Sequence, residues 1–192
     1  MQGSTHPPTR SRQEGTPSHP AVVRRLSAAE AHAVQPRLAA ILQDAVHDGA
    51  SVGYLAPLSD ADARAYWSSV VAALDGSYRI LLVAETDGEI AGAVQLALEP
   101  RPNGNHRAEV SKLLVHTAYR RRGIARQLLE ALETHARAAS RSLLVLDTKS
   151  GEPAETLYRE LGYVCAGVIP GYARDPDGIG LAATSFMYKA LA

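Results

Sequence analysis

The chain has only one cysteine, one tryptophan and one phenylalanine among its 192 residues. A single cysteine, Cys165, cannot form an internal disulfide or build a zinc site by itself. Neither charge is in excess, because 20 lysines and arginines balance 20 aspartates and glutamates, and this argues against a broad surface for nucleic acid or anionic membrane. No run approaches the roughly 18 apolar residues of a membrane helix, and none resembles a secretory signal. We therefore expect a cytoplasmic protein whose partners include neither nucleic acid nor membrane.

Residues 1–20 also lack what a folded core requires. They contain no Val, Ile, Leu, Phe, Tyr or Trp, so ordering them would bury too little apolar surface to offset the lost conformational entropy. We predict a disordered leader over residues 1–20 and a single domain over residues 21–192. The second segment is long enough for a substantial core, since a domain of about 150 residues buries roughly 70% of the surface that its unfolded chain exposes.

Strand-like and helix-like segments alternate along residues 21–192. The first half predicts a short strand, helices that begin at Ser27 and Ser59, and two strands joined by an Asp87-Gly88 hairpin. The second half predicts strand, helix, strand, helix and strand, with a further strand at the end. The predicted strands cover residues 21–26, 80–84, 90–98, 108–115, 143–146, 163–168 and 185–189. This order favours an α/β fold with a mixed sheet and helices packed on its faces.

Residues 120–126 read Arg-Arg-Arg-Gly-Ile-Ala-Arg and lie between a predicted strand and an amphipathic helix. At a helix start, free backbone N–H groups and the helix dipole favour an anion. Gly123 has no Cβ to block a phosphate, and the flanking guanidinium groups can pair with phosphate oxygens. The spacings of a P-loop and of a dinucleotide-binding loop are both absent. The segment is therefore a candidate pyrophosphate site, with a solvated basic loop or a nucleic-acid contact as the alternatives.

The pattern Arg120-x-x-Gly123-x-Ala125 resembles the Q/R-x-x-G-x-G/A signature of the GCN5-related N-acetyltransferase (GNAT) family, which binds the pyrophosphate of acetyl-CoA. Residues 154–163, AETLYRELGY, resemble the family's A-x-x-L-Y-x-x-x-G-[FY] helix and strand. The resemblance covers residues 21–190 and implies a mixed, mostly antiparallel sheet flanked by helices on both faces. It also implies acetyl-CoA as co-substrate, without a metal. The implied cofactor-binding residues are Leu113, Leu114, Val115, Arg120, Arg121, Arg122, Gly123, Ile124, Ala125 and Arg126.

Segments outside the cofactor motif resemble the tabtoxin-resistance acetyltransferase, which acetylates an amino-acid-like β-lactam toxin. These segments are residues 49–54, 102–104, 107–110, 146–148 and 170–172. The resemblance implies a small-molecule substrate with a primary amine, amino-acid-like and of the toxin or antibiotic class. Two alternatives remain open at this point: an acetyltransferase for another amine, such as a polyamine, an aminoglycoside or a protein N-terminus, and a CoA-binding regulatory module without turnover.

The resemblance to the GNAT family implies roles for three catalytic candidates. Tyr158 has the position of the general acid that protonates the departing thiolate, and the ordinary pKa of tyrosine, about 10, keeps it protonated at neutral pH. Its alternative is a core aromatic. Glu109 and Asp147 lie on the two strands that part at the acetyl-CoA slot in the family, so either is a candidate base and the other an ammonium anchor. Ordinary salt bridges are the alternative for both. Cys165 is predicted to be a buried, inert thiol, which argues against an acyl-cysteine mechanism.

Overall fold

A computed structural model describes residues 20–76 and 78–191, so residues 1–19 of the predicted leader lie outside the described residues. The described part forms one seven-stranded sheet and five α-helices. The strands are β1 (Val22–Arg25), β2 (Arg79–Thr86), β3 (Glu89–Leu98), β4 (Arg107–Val115), β5 (Leu143–Lys149), β6 (Val164–Arg174) and β7 (Leu181–Ala190). The helices are α1 (Ala28–Ala33), α2 (Gln35–His47), α3 (Asp60–Leu74), α4 (Ile124–Ala138) and α5 (Pro153–Glu160).

The sheet has the strand order β1-β2-β3-β4-β5-β7-β6. Strands β1 to β4 pair antiparallel with their neighbours, β4 and β5 pair parallel, and β7 lies antiparallel between β5 and β6. The predicted α/β architecture, a mixed and mostly antiparallel sheet with helices on both faces, is therefore confirmed. Among the described helices, none is long and apolar enough to cross a membrane.

Local signals place the first three helices. The Ser27 hydroxyl accepts a hydrogen bond from the Glu30 N–H at 3.3 Å, and the Glu30 carboxylate accepts one from the Ser27 N–H at 2.9 Å. This reciprocal pair is the capping box that the sequence predicts. Ser59 caps α3 through a single bond of this kind, which its hydroxyl accepts from the Asp62 N–H. Pro36 lies in the first turn of α2, where its missing N–H needs no partner, so it begins a second helix rather than distorting the first.

Two apolar clusters hold the helices on opposite faces of the sheet. Helices α1, α2 and α3 pack on one face through a cluster that includes Leu38, Leu42, Trp67, Leu81 and Leu114. Helices α4 and α5 pack on the other face through a cluster that includes Leu96, Val110, Leu128, Leu132, Leu146 and Tyr158. Among the described residues, strands β2, β3 and β4 contribute to both clusters, whereas β5 and β7 contribute only to the cluster under α4 and α5. Both faces of the sheet are therefore covered as far as β4, the strand at which the candidate site begins.

The last two strands are longer than the sequence predicts, since β6 runs to Arg174 and β7 begins at Leu181. The sequence suggested a loop there because Pro170 and Gly171 are unfavourable inside a central strand. Strand β6 lies at the edge of the sheet, and its register with β7 shifts between Ile169 and Ala173. Such an irregularity at an edge accommodates a proline, whose missing N–H has no ladder partner to lose.

Candidate functional site

Strands β4 and β5 separate part of the way along the sheet. Their parallel pairing covers three residue pairs and ends where Glu109 lies opposite Val145. Beyond that point β4 stays paired with β3 up to Val115, and β5 stays paired with β7 up to Lys149. The sheet therefore contains a wedge-shaped gap, and the facing edge of β4 is free to hydrogen-bond a bound molecule.

A β-bulge shapes this edge of β4. Two residues, Lys112 and Leu113, stand opposite a single residue of β3, because the register shifts between Ala93 and Gln95. Lys112 has a φ of 51°, in the left-handed region that favours glycine. Bulges occur beside active sites because they redirect side chains and interrupt pairing. The bulge therefore sets which side chains flank the gap.

The predicted pyrophosphate loop ends at the first turn of α4. Gly123 is the N-cap residue, with a φ of 76°, and a Cβ built there would meet no atom within 4 Å. The N–H groups of the first turn have no intrahelical acceptor, and no side chain of the described residues caps them. Open space, free N–H donors and the positive end of a 15-residue helix together suit a phosphate group.

The arginines around this turn already have partners on other segments. Arg120 donates to the Asp48 carboxylate and to the Val115 carbonyl. Arg126 pairs with the Glu160 carboxylate. Since these ion pairs are exposed to water, each contributes little to stability and a phosphate can compete for the guanidinium. The pairs hold the side chains along the loop and keep them near the helix start.

Two further arginines of the loop differ in their surroundings. The Arg122 guanidinium lies 5.3 Å from the centre of the Tyr119 ring and 3.9 Å from the Asp87 carboxylate. Arg121 is exposed and has a φ of 62°. Among the described residues, none forms a hydrogen bond or an ion pair with the Arg121 guanidinium. Arg121 is therefore the side chain of this loop with the most freedom to reach an anion.

The three predicted cofactor residues of β4 point in different directions. Leu114 is buried in the cluster under α1 to α3, whereas Leu113 and Val115 pack partly against the cluster on the α4 side. A fully packed Leu114 side chain cannot touch a ligand, so its contribution to a bound cofactor is limited to its backbone. This agrees with a strand edge that binds through N–H and C=O groups.

Tyr158 lies on α5 with its ring packed edge-on against Tyr163, at 5.5 Å between ring centres. Its side chain is 6% exposed. Burial raises the pKa of the Tyr158 hydroxyl above its ordinary value, and the negative charge of Asp147 raises it further. A phenol in this environment stays protonated at neutral pH. Within the described residues, no group accepts or donates a hydrogen bond at this hydroxyl.

Glu109 and Asp147 are both exposed and lie on the α1–α3 face, opposite to the buried Val110 and Leu146 that follow and precede them. Tyr158 approaches the gap from the other face, although the Asp147 charge still acts on its hydroxyl. The structure thus brings the three predicted residues to one gap but on two sides of the sheet. This arrangement can hold an amine on one face and a thioester on the other.

Lys112 lies near Glu109 and Asp147, and the sequence reasoning did not single it out. The charges of Asp147 and Glu109 both act on its ammonium group, while burial lowers its pKa below the ordinary value. Its Nζ lies 5.4 Å from the centre of the Tyr66 ring on α3. The Tyr66 hydroxyl is fixed by Gln95 at 2.7 Å, and its burial raises the pKa of that hydroxyl to about 12. The bulge, and not the strand pattern, places Lys112 here.

A cavity of about 300 Å³ adjoins this cluster. It lies between the segment that connects α2 to α3 and the end of β6, and a hydrogen bond from the Ala56 N–H to the Pro176 carbonyl, at 2.7 Å, ties the two together. Its lining residues are Ser51, Gly53, Tyr54, Leu55, Ala173 and Arg174. Small-molecule sites are commonly concave spaces of about 300–1,000 Å³, so this cavity suits a small ligand.

Several known proteins are related to this chain in sequence, among them two N-acetyltransferases. An uncharacterised N-acetyltransferase of the hisH-hisA intergenic region of Azospirillum brasilense is 36% identical over 108 residues, 55% of this chain and 62% of that protein. The aligned part thus spans less than two thirds of this relative. An L-methionine sulfoximine/L-methionine sulfone acetyltransferase of Pseudomonas paraeruginosa is 30% identical over 137 residues, 70% of this chain and 77% of that protein.

A solved structure shares the fold at lower identity. It is a GNAT superfamily phosphinothricin acetyltransferase from Sinorhizobium meliloti in complex with acetyl-CoA, with a TM-score of 0.71 and 21% identity over 91% of this chain and 90% of that chain. The family model described as acetyltransferase (GNAT) family matches residues 38–163, which include the gap, the loop before α4 and helix α5. The chain therefore belongs to the GNAT acetyltransferase family.

Proposed function

We propose that this protein transfers the acetyl group of acetyl-CoA to the primary amine of a small, amino-acid-like molecule, of the kind represented by amino-acid toxins and antibiotics. The observation that carries this proposal is the small cavity beside a gap flanked by Glu109, Asp147 and Tyr158. The relative named for methionine sulfoximine and methionine sulfone supports the same substrate class. So does the resemblance to the tabtoxin-resistance enzyme, because its segment 49–54 contains Ser51, Gly53 and Tyr54 of the cavity lining.

The α4 start and the free edge of β4 fit acetyl-CoA. The open space at Gly123 and the uncapped N–H groups suit its pyrophosphate, and the unpaired edge beyond Glu109 suits the amide-rich arm that leads to the thioester. Bound there, acetyl-CoA would supply an acetyl group activated as a thioester. The protein's own contribution is to orient the two reactants and to move two protons.

The first proton comes from the amine. Attack requires a neutral nitrogen, and Glu109 or Asp147, both on the face of the cavity, would accept the proton from the substrate ammonium directly or through a water molecule. As the new N–C bond forms, the C–S bond breaks, the thiolate leaves, and the nitrogen releases its second proton to water. Tyr158, protonated and on the opposite face of the gap, would give its proton to the sulfur. One carboxylate and one phenol would therefore complete the transfer without a covalent acyl-enzyme.

The test is acetyl-CoA consumption over a panel of amines. The panel should contain L-methionine sulfone, L-methionine sulfoximine, phosphinothricin, a dipeptide, a polyamine, an aminoglycoside and a peptide with a free N-terminus. We expect the highest kcat/KM for an amino-acid-like compound. Turnover confined to the polyamine, the aminoglycoside or the peptide would overturn the substrate class, and acetyl-CoA binding without turnover of any amine would overturn the enzymatic function.

A further inference from the structure

Lys112 is a half-buried cation in an unusual backbone position. A lysine at φ 51° is strained, and glycine would relieve that strain. The chain nevertheless has a lysine at the bulge, with its Nζ over the face of Tyr66 at 5.4 Å. Strained backbone conformations cluster at active sites and ligand-binding sites. The strain at Lys112 therefore suggests that its side chain serves the site.

The described contact of the Lys112 ammonium group is with an aromatic ring and not with a hydrogen-bond acceptor. Tyr66 covers one side of the ammonium group, and two hydrogen bonds through the Gln95 side chain fix its ring. Arg79 donates to Gln95 Oε1 at 2.6 Å, and Gln95 Nε2 donates to the Tyr66 hydroxyl at 2.7 Å. Within residues 20–76 and 78–191, no side chain forms a hydrogen bond or a direct ion pair with Lys112. Its cation–π contact leaves the three N–H donors without a protein acceptor.

The ammonium group lies close to the cavity. A Cβ built on Gly53, one of the cavity-lining residues, would lie 3.8 Å from the Lys112 Nζ. Tyr54, the next lining residue, packs edge-on against Tyr66 at 5.8 Å. The ammonium group therefore lies directly behind two lining residues, and Gly53 has no side chain to separate it from the cavity.

We propose that Lys112 is the anion anchor of the amine site and that it takes the carboxylate of an amino-acid substrate. The inference rests on the proposed function, and it names the chemical group by which the protein recognises its substrate. Glu109 and Asp147 lie on the α1–α3 face, where Lys112 contacts Tyr66 of α3, and their charges act on its ammonium group. An amino acid bound here would place its ammonium toward the carboxylates and its own carboxylate toward Lys112. An amine without a carboxylate would satisfy only half of this arrangement.

The test compares each amino acid of the panel with its α-carboxamide, beginning with L-methionine sulfone. Removing a charged hydrogen-bond partner is worth about 1.5–3 kcal/mol, or roughly 10–100-fold in an equilibrium constant. We expect the wild-type protein to prefer the acid by at least tenfold in kcat/KM. Lys112→Met should lower this preference at least tenfold, and Lys112→Arg should restore most of it.

The control is Arg25→Met, which removes one positive charge from an exposed position on the far edge strand β1 and should leave the preference intact. A purely structural role for Lys112 would lower kcat/KM for acid and carboxamide by the same factor. That result, or a wild-type protein that shows no preference for the acids, overturns the anchor.

A second readout separates this inference from the proposed function. Calorimetric titration of the CoA-loaded protein with L-methionine sulfone needs no turnover. If no amine is acetylated but the amino acid binds and Lys112→Met abolishes the binding, the anchor stands and the transferase proposal fails. If amines are acetylated but the titration and the preference are both independent of Lys112, the transferase stands and the anchor fails.

Discussion

Thr117 is bound twice by Asp44, since its N–H donates to Oδ2 and its hydroxyl donates to Oδ1 of that carboxylate, each at 2.7 Å. Asp44 lies on α2, and Thr117 lies three residues before Arg120. The contact therefore joins the helix layer on one face of the sheet to the loop that leads into α4 on the other. It fixes the approach of the chain to the candidate pyrophosphate site.

Replacing Asp44 by alanine is expected to loosen this loop. Two bonds to a partly exposed carboxylate are worth about 1–2 kcal/mol, which corresponds to a Tm lower by roughly 2–8 °C in a protein of this size. The affinity for acetyl-CoA should fall several-fold at the same time. Thermal unfolding with and without acetyl-CoA measures both effects. The matched control is Glu130→Ala, an exposed carboxylate on α4, which should change the free energy of unfolding by less than about 0.5 kcal/mol.

Gly123→Asp should abolish acetyl-CoA binding, because it adds a side chain and a negative charge where a phosphate would lie. A ligand at a hundred times its Kd stabilises the native state by about 2.7 kcal/mol, and this stabilisation should be lost in the variant. Gly178→Asp is the control, since Gly178 also has a positive φ, 79°, and open space around its Cβ position. Retained binding in a folded Gly123→Asp protein would disprove the assignment.

Tyr158→Phe should lower kcat by about 10²–10⁴-fold, the usual range for the loss of a general acid. The Kd for acetyl-CoA should change much less, because the hydroxyl acts in the transition state. Tyr163→Phe is a close control. Its hydroxyl is buried without a hydrogen-bond partner among the described residues, so its removal should leave kcat unchanged and should not lower stability. A Tyr158→Phe enzyme within about threefold of the wild-type kcat, with chemistry rate-limiting, would make Tyr158 a packing residue.

The two carboxylates are distinguished by Glu109→Gln and Asp147→Asn. The variant that removes the base should lower kcat by about 10²–10⁴-fold and lose the acidic limb of the pH–rate profile. The variant that removes the ammonium anchor should instead raise KM for the amine, by roughly 10–100-fold, and keep that limb. Steady-state kinetics between pH 5 and 9 give both quantities. Two variants with near wild-type values would show that neither carboxylate acts as the base or as the ammonium anchor.

Residues 1–20 are proposed to be dispensable, because they contain no large apolar side chain that could dock on the domain. A shortened chain that begins at Ala21 should match the full chain in Tm and in acetyl transfer. Differential scanning calorimetry and the consumption assay test this directly. A clear loss in either measurement would show that this segment contributes to the folded domain.

The elements of this fold follow closely from local signals. Ser27, Ser59 and Pro153 mark helix starts, and Asp87-Gly88 marks the hairpin, because capping and turn geometry depend on residues only a few positions apart. The sequence predicts the loop before α4 for the same reason, since its glycine and arginines are contiguous. Features that depend on such short-range patterns can be predicted from a single sequence.

Lys112 was missed because a bulge changes which face each residue occupies. In an uninterrupted strand, Val110 and Leu114 would share a face, but in β4 they belong to opposite clusters. The extra residue shows in the sequence only as a break in the alternation, since Lys112 follows Ser111 where an apolar residue is expected, and such a break does not by itself identify a bulge. The partner of Arg120, Asp48, was equally out of reach, because 72 positions separate the two in the chain.

The strand order also has a consequence for synthesis. The loop before α4 is complete once residue 126 has left the ribosome, whereas one wall of the cavity comes from Ala173 and Arg174 on β6, which is held in place by β7. Chains are synthesised from the N-terminus at about 5–20 residues per second. For several seconds a nascent protein therefore has the candidate pyrophosphate site for acetyl-CoA but lacks the complete cavity for the amine. Until β7 arrives, β5 is an open sheet edge, and edges of this kind pair readily with other chains. Strands β6 and β7 therefore complete the cavity and also cover the open edge of β5.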